Sequence, residues 1–141
     1  MTHVLETGFE IMANDNPNKR PRVRGYNIIN GELRIASDGS TFESRSPARL
    51  DDCLGEVPQS TREDVHEALR AARDSFATWS STPAPTRGQI IGNMGRLLME
   101  YKDDIVRVET REIGKTLKES AGEVQEAIAT CLFFQSEGRR L

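Results

Sequence analysis

The 141-residue sequence has two cysteines, Cys53 and Cys131, far apart and with no CxxC or Cys/His spacing around either. That count excludes a disulfide framework and a tetrahedral zinc site, and fits two reduced thiols in a reducing compartment. No apolar run approaches the roughly 20 residues needed to cross a bilayer as a helix. Residues 1–12 carry Glu6 and Glu10 where a secretory leader would be basic and then apolar, so a cytoplasmic location is expected. Charge of one sign is missing as well. With 19 basic and 22 acidic residues the net charge is −3 and the pI about 5.5, which offers nucleic acid or an anionic membrane no basic footprint. Apolar residues make up 36% and charged residues 29%, so the core is expected to be thin for this length.

Two phosphate-binding patterns are also lacking. Gly114-Lys115-Thr116 matches the end of a P-loop, but Glu109 stands where the first glycine belongs. The plainer reading is that Gly114 ends one helix and Thr116 opens the next. Gly88, Gly92 and Gly95 follow G-x-x-x-G-x-x-G inside an apolar-striped segment, which is not the GxGxxG turn that presents amides to a pyrophosphate. Glycines on a striped helix suggest close packing against a neighbour. No metal ligand set, cofactor contact or catalytic residue follows from spacing.

Residues 1–24 are expected to form a mobile N-terminal arm, because the cluster from Asn14 to Arg22 is too polar to offset the entropy of ordering. Tyr26 to Ile29 and Glu32 to Ile35 flank Asn30-Gly31, whose residues tolerate the positive φ of a type I′ turn, so a β-hairpin is expected. Thr41 to Arg45 reads as a strand stopped before Pro47, and Leu54 to Val57 as a shorter one stopped by Pro58.

From Ser60 onward the hydrophobic period becomes helical. Ser60 and Glu63 have capping-box spacing for a helix over 61–78 with Val65, Leu69, Ala72 and Phe76 on its apolar face. Thr82 is placed to cap a second helix that accepts Pro83 and Pro85 in its first turn and carries the stripe Ile90, Ile91, Met94, Leu97, Leu98 and Tyr101. A third helix over 102–113 should stop at Gly114 in a left-handed C-cap. Thr116 and Glu119 open a fourth, with Val124, Ile128, Cys131 and Leu132 inward.

Side chains with reactive potential have bland explanations. His3 lies in the arm and His66 on a polar helix side, so neither is placed as a general base. Cys131 lies on the apolar stripe with no histidine near in sequence, which fits an inert packed thiol. Glu123 and Glu126, three apart, could share a pocket or face water.

Taken in order, Ser60 to Val65, Ala71 to Trp79, Thr82 to Arg87 and Glu112 to Lys115, with the hairpin at Asn30-Gly31 and the Phe42 to Pro47 segment, resemble the opening quarter of the NAD(P)-dependent aldehyde dehydrogenases. The resemblance runs over residues 26–141. It implies an α/β fold: part of a Rossmann-like cofactor domain, with short N-terminal strands or a hairpin followed by about four amphipathic helices, and residues 25–141 forming an incomplete domain.

In that family a cysteine attacks the aldehyde, hydride passes to NAD(P), and a glutamate assists hydrolysis of the thioester while amides hold the oxyanion. The blocks that carry those groups are missing here, so the resemblance transfers no catalytic, cofactor-binding or metal-binding residue to this chain. One substrate position carries over: Glu126, in a helix similar to one lining the substrate tunnel of members acting on amino-acid-derived semialdehydes such as aminoadipate semialdehyde. Phe133 and Phe134 match the aromatic positions after it. For the complete enzyme the resemblance implies NAD or NADP, a small aldehyde substrate and a homo-oligomer, with no nucleic acid or membrane partner. For this chain it implies a fragment without activity or tight cofactor binding that associates with the remaining enzyme segments. A second expectation is an assembly module that docks a partner through exposed apolar helix faces.

Overall fold

The computed structural model describes residues 22–140 in full, and the backbone of two short strands before them, β1 (Val4–Leu5) and β2 (Phe9–Met12). His3 and most of the polar cluster from Asn14 to Arg22 lie outside the described residues. The chain divides into two units, Met1–Ser75 and Phe76–Leu141.

In the first unit five strands form one mixed sheet in the order β1-β2-β3-β7-β6, with β3 (Arg22–Gly25), β6 (Thr41–Ser46) and β7 (Arg49–Pro58). The stretch 1–24 thus contains β1, β2 and most of β3, and Arg24 lies opposite Glu56 of β7. Main-chain pairing, rather than apolar side chains, holds the described part of β3 in the sheet.

The parallel pair β3–β7 approaches closely, and a Cβ on Gly55 would run into the main chain of Val23. Strand β7 is longer than expected because it forms a hairpin with β6. In that ladder Ser44 opposes Gly55 and Arg45 opposes Cys53, so Leu54 is an extra residue. Such a bulge breaks the alternation of faces, and Cys53, Leu54 and Gly55 are buried in succession.

The expected hairpin is present as β4 (Asn27–Ile29) and β5 (Glu32–Arg34), a separate two-stranded sheet. Asn30 and Gly31 take φ of 54° and 78°, as a type I′ turn requires.

Helix α1 (Arg62–Ser81) starts differently from the sequence expectation. Thr61, not Ser60, is its reciprocal cap: the Thr61 amide donates to the Asp64 carboxylate at 2.7 Å, and the Asp64 amide donates to the Thr61 hydroxyl at 3.3 Å. The Ser60 hydroxyl instead donates to the Asn27 side-chain oxygen at 3.0 Å. Shifting the box by one residue lets Asp64 also accept from the Ser37 amide, at 3.1 and 3.2 Å, which ties the loop after β5 to the helix. Asp64 is consequently buried, while Val65, Leu69 and Phe76, expected to face a core, are exposed.

The second unit is built on α2 (Ala84–Glu100), α3 (Lys102–Ile113) and α4 (Leu117–Glu137). Thr82 does not cap α2: its hydroxyl donates back to the Thr78 carbonyl at 2.9 Å and finishes α1, while Pro83 takes the N-cap position without a side-chain bond. Gly114 ends α3 at φ 79°, and Thr116 with Glu119 forms the expected capping box of α4. Val106, Val124 and Ile128 make the buried cluster, with Leu98, Ile105 and Ala121 packed on it.

The glycines of α2 are its contact face. Gly88, Gly92 and Gly95 are buried, and a Cβ on each would meet Gln135 or Cys131 of α4. Close packing was expected of them. Of the stripe expected on the core side, Ile91 and Leu98 are half-buried and Leu98 packs on the buried cluster, whereas Ile90, Met94, Leu97 and Tyr101 are exposed.

Candidate functional site

A polar constellation of the second unit lies where α3 meets α4. Gly114 reverses the chain with a left-handed residue, so Lys115 leaves the α3 C-terminus directly beside the first turns of α4. Its ammonium pairs with the carboxylate of Glu123, and Glu123 is also hydrogen-bonded to Glu109 of α3. The charges shift one another. Lys115 is held above its ordinary value by the Glu123 carboxylate, and Glu123 is held below its own by Lys115 and then by Glu109. Glu109 is raised, first by the hydrogen bond to Glu123 and then by burial, because two neighbouring carboxyls cannot both ionise cheaply.

Nearby, the Thr110 hydroxyl donates to the fully buried Ser120 hydroxyl at 3.0 Å, pinning the same two helices. The cluster joins helices. It presents no nucleophile beside a base and no pair of amides aimed at a vacant position.

Gly114-Lys115-Thr116 therefore serves as helix stop, ion-pair donor and helix cap, and not as a phosphate loop. Gly88, Gly92 and Gly95 are likewise consumed by helix packing, so their amides stay inside α2 and cannot cradle a pyrophosphate. A dinucleotide does not fit either set of glycines.

The remaining candidates separate. Glu126 is exposed on α4, and Glu123, three residues earlier, is committed to Lys115, so the two carboxylates do not converge. Phe133 and Phe134 follow on the same helix, edge to face with centroids 5.4 Å apart, and both are exposed. Cys131 is half-buried, its Cβ against Gly95, and Cys53 is buried with its thiol 3.9 Å from the Gly55 carbonyl oxygen. His66 is exposed. Among the described residues no group of three His, Cys, Asp or Glu is placed to hold a metal ion, and no helix is long and apolar enough to cross a membrane.

The linkage of Glu109 to Glu123 was missed in the sequence. Its signal was available, since the two residues flank a glycine stop that folds α4 back on α3.

Comparison with known proteins decides what this architecture is. The profile of the aldehyde dehydrogenase family matches residues 35–141. The chain belongs to the aldehyde dehydrogenase family. A malonate-semialdehyde dehydrogenase of Bacillus cytotoxicus is 39% identical over 105 residues, which is 74% of this chain and 21% of the relative. The NADP-dependent succinate-semialdehyde dehydrogenase of Escherichia coli is 35% identical over 114 residues, 81% of this chain and 23% of the relative.

Among solved structures, an NAD-dependent aldehyde dehydrogenase from Sinorhizobium meliloti shares the fold, with a TM-score of 0.84 at 23% identity over 90% of this chain and 26% of that one. Betaine aldehyde dehydrogenase of Staphylococcus aureus, solved with NAD+, gives a TM-score of 0.75 at 27% identity over 79% of this chain and 23% of the other. The fold is thus a partial segment of the Rossmann-like aldehyde dehydrogenase architecture. The chain spans 21–26% of the length of these relatives.

Proposed function

We propose that residues 25–141 are a scaffold segment of the cofactor-binding domain of an aldehyde dehydrogenase that oxidises a small semialdehyde to the carboxylate with NAD or NADP in the cytoplasm. One observation carries this reading: relatives whose names specify malonate, α-ketoglutaric and succinate semialdehydes match most of this chain at 34–39% identity. The semialdehyde class follows from those relatives. Glu126 is the residue we assign to the polar end of such a substrate, because it is an exposed carboxylate on α4 and the two exposed phenylalanines after it supply an apolar wall.

The chain by itself is assigned no aldehyde oxidation. Neither Cys53 nor Cys131 has a base within the contacts seen, and the glycines are consumed by helix packing. In a complete enzyme a bound dinucleotide would supply the hydride acceptor. This segment's own residues contribute the α2–α4 layer and the Lys115–Glu123 link that hold the helix bearing Glu126. The complete enzyme is assigned a homo-oligomer, with the segment associating with the remainder of the polypeptide.

The test is direct. Purified chain is incubated with NAD or NADP and succinate, malonate or α-ketoglutarate semialdehyde, and reduced cofactor is followed by absorbance. No turnover above buffer is expected, and NAD should show no saturable binding by calorimetry. Turnover abolished by Cys131→Ser would refute the scaffold assignment.

A further inference from the structure

The turn at Asn30-Gly31 has a chemistry of its own. A main-chain amide that follows asparagine can attack the side-chain carboxamide, and glycine leaves that attack unobstructed because it has no Cβ. The described residues hold two junctions of this kind, Asn30-Gly31 and the related Asp38-Gly39, with glycine φ of 78° and 75°. The structure treats them differently.

At Asp38-Gly39 every participant is occupied. The Gly39 amide donates to the Ala36 carbonyl at 2.8 Å, and Asp38 Oδ1 accepts from the Ser40 amide at 2.9 Å and the Ser40 hydroxyl at 2.6 Å. Bringing that carboxylate onto the amide would break all three bonds. At Asn30-Gly31 both residues are exposed, and no described residue hydrogen-bonds the Asn30 carboxamide or the Gly31 amide. No atom lies within 4 Å of where a Gly31 Cβ would stand, and a cavity of about 210 Å³ opens beside the turn between Ile28, Asn30, Ala68 and Ser75. The carboxamide is free to rotate, and water reaches it.

The other described asparagines lack the following glycine and are engaged. Asn27, before Ile28, accepts from the Ser60 hydroxyl at 3.0 Å, while Asn93, before Met94, lies inside α2 and accepts from Gln89 and Arg96. Attack also needs the turn to relax. Strands β4 and β5 form a sheet of their own with no third strand. A lone two-stranded hairpin is marginal, so this turn opens at less cost than a helix interior does.

We propose that Asn30 is a modification site of the folded chain, at which the Gly31 amide converts the side chain through a succinimide to aspartate or isoaspartate. The Gly31 nitrogen gives up its proton and bonds to Asn30 Cγ, the bond from Cγ to Nδ2 breaks, and ammonia leaves carrying that proton. Water then opens the five-membered ring at either carbonyl. The sequence of steps needs no oxidant or reductant. Isoaspartate adds a methylene to the main chain inside a two-residue turn, so Ile29 can no longer face Glu32 in register, and either product adds a negative charge.

The experiment incubates the full chain, folded and in urea, in neutral and mildly alkaline buffer. Mass spectrometry with peptide fragmentation locates each amide-to-acid change, and an isoaspartyl carboxyl methyltransferase labels isoaspartate. In the folded chain Asn30 should convert at least about tenfold faster than Asn93, the ratio that about 1.4 kcal/mol of additional opening cost produces. Conversion should be faster in alkaline buffer, because the attacking amide must lose its proton. In Asn30→Gln it should disappear, since the longer side chain would have to close a six-membered ring. An unchanged Asn30 in the folded chain overturns the proposal, even if it converts in urea, because the turn would then protect the site. Isoaspartate at Asp38 of the folded chain to the same extent as at Asn30 overturns it as well, because the free and the occupied junction would then be equivalent.

Discussion

Replacing the glycines of α2 one at a time should separate two effects that usually oppose each other. Glycine to alanine in a helix interior gains about 1 kcal/mol from backbone propensity. Overpacking a filled contact costs about 1–3 kcal/mol. At Gly88 the new Cβ would sit 2.8 Å from the Gln135 main-chain oxygen, about 0.6 Å inside an ordinary contact, and 3.5 Å from the Gly138 Cα. A carbonyl in a helix cannot swing aside. Relief requires α2 and the end of α4 to separate locally. Gly88→Ala should therefore destabilise the chain by about 0–2 kcal/mol net of propensity.

Gly92 presents the contrasting case. Its Cβ would meet the Oε1, Cδ and Cγ atoms of Gln135, the end of a flexible side chain. Gln135 can rotate away, so Gly92→Ala should be neutral or stabilise by up to about 1 kcal/mol. Taking the middle of each range, a loss of about 1 kcal/mol at Gly88 and a gain of about 0.5 kcal/mol at Gly92, the two variants differ by about 1.5 kcal/mol in the urea unfolding free energy, read by far-UV circular dichroism with a shared m-value.

Gln135→Ala supplies the control by double-mutant cycle. It should enlarge the gain at Gly92 and leave the loss at Gly88 unchanged, since a main-chain oxygen survives the substitution. If Gly88→Ala is as stable as Gly92→Ala, the close approach of α2 to α4 does not govern this helix pair.

Three further outcomes follow from local geometry. Gly31→Ala should cost about 1 kcal/mol in thermal unfolding, because φ is 78° and no atom lies near the new Cβ, leaving only the left-handed backbone penalty. Gly55→Ala should lose more than Gly31→Ala in the same assay, because the new Cβ meets the Val23 main chain; equal losses would argue against the parallel β3–β7 contact. Glu123→Gln should bring Glu109 down toward the ordinary carboxylate range in a carbon-13 NMR titration, since the charge that favours its proton is gone; an unmoved Glu109 would break the pairing.

Asp64 carries a pH dependence of known sign. The Thr61 amide first, and the Ser37 amide and the hydroxyls with it, hold its pKa below 3.8 in the folded chain. A depressed carboxylate stabilises the fold fully above its unfolded value, and that contribution disappears as pH falls through the lower folded value. Asp64→Asn should be less stable than the parent at neutral pH, and the gap should close in strong acid. A gap that is constant with pH in acid unfolding curves would mean that the carboxylate charge is not what the two amides recognise.

How far the sequence could be read depended on whether a signal was local. The Asn30-Gly31 turn, the Gly114 stop and the Thr116–Glu119 box each satisfy backbone groups within a few residues, so residue type and spacing suffice to place them. The cap of α1 was off by one residue because two overlapping boxes are chemically possible, and the choice between them is made by Ser37, 27 residues away from Asp64. Strand β3 escaped for a related reason: its parallel pairing with β7 is a long-range main-chain event that leaves little mark on side-chain pattern, and β2 and β1 join the sheet only through β3.

The apolar stripes are the instructive case. Periodicity locates a hydrophobic face, but it cannot say what covers that face or whether the partner is in the same chain. In α2 the close contact with α4 went to the glycines, because backbone-to-backbone approach is closer than any Ile or Leu permits, and the stripe was split: Leu98 packs on the buried cluster while Ile90, Met94 and Leu97 are exposed. For Glu126 the limit is similar. Its place on α4 could be read from the capping box, whereas the conversion of its neighbour Glu123 into a structural ion pair depends on the reversal at Gly114. A glutamate pair at three-residue spacing, both members exposed, therefore splits into Glu123, held in an ion pair with Lys115, and Glu126, which does not converge on it.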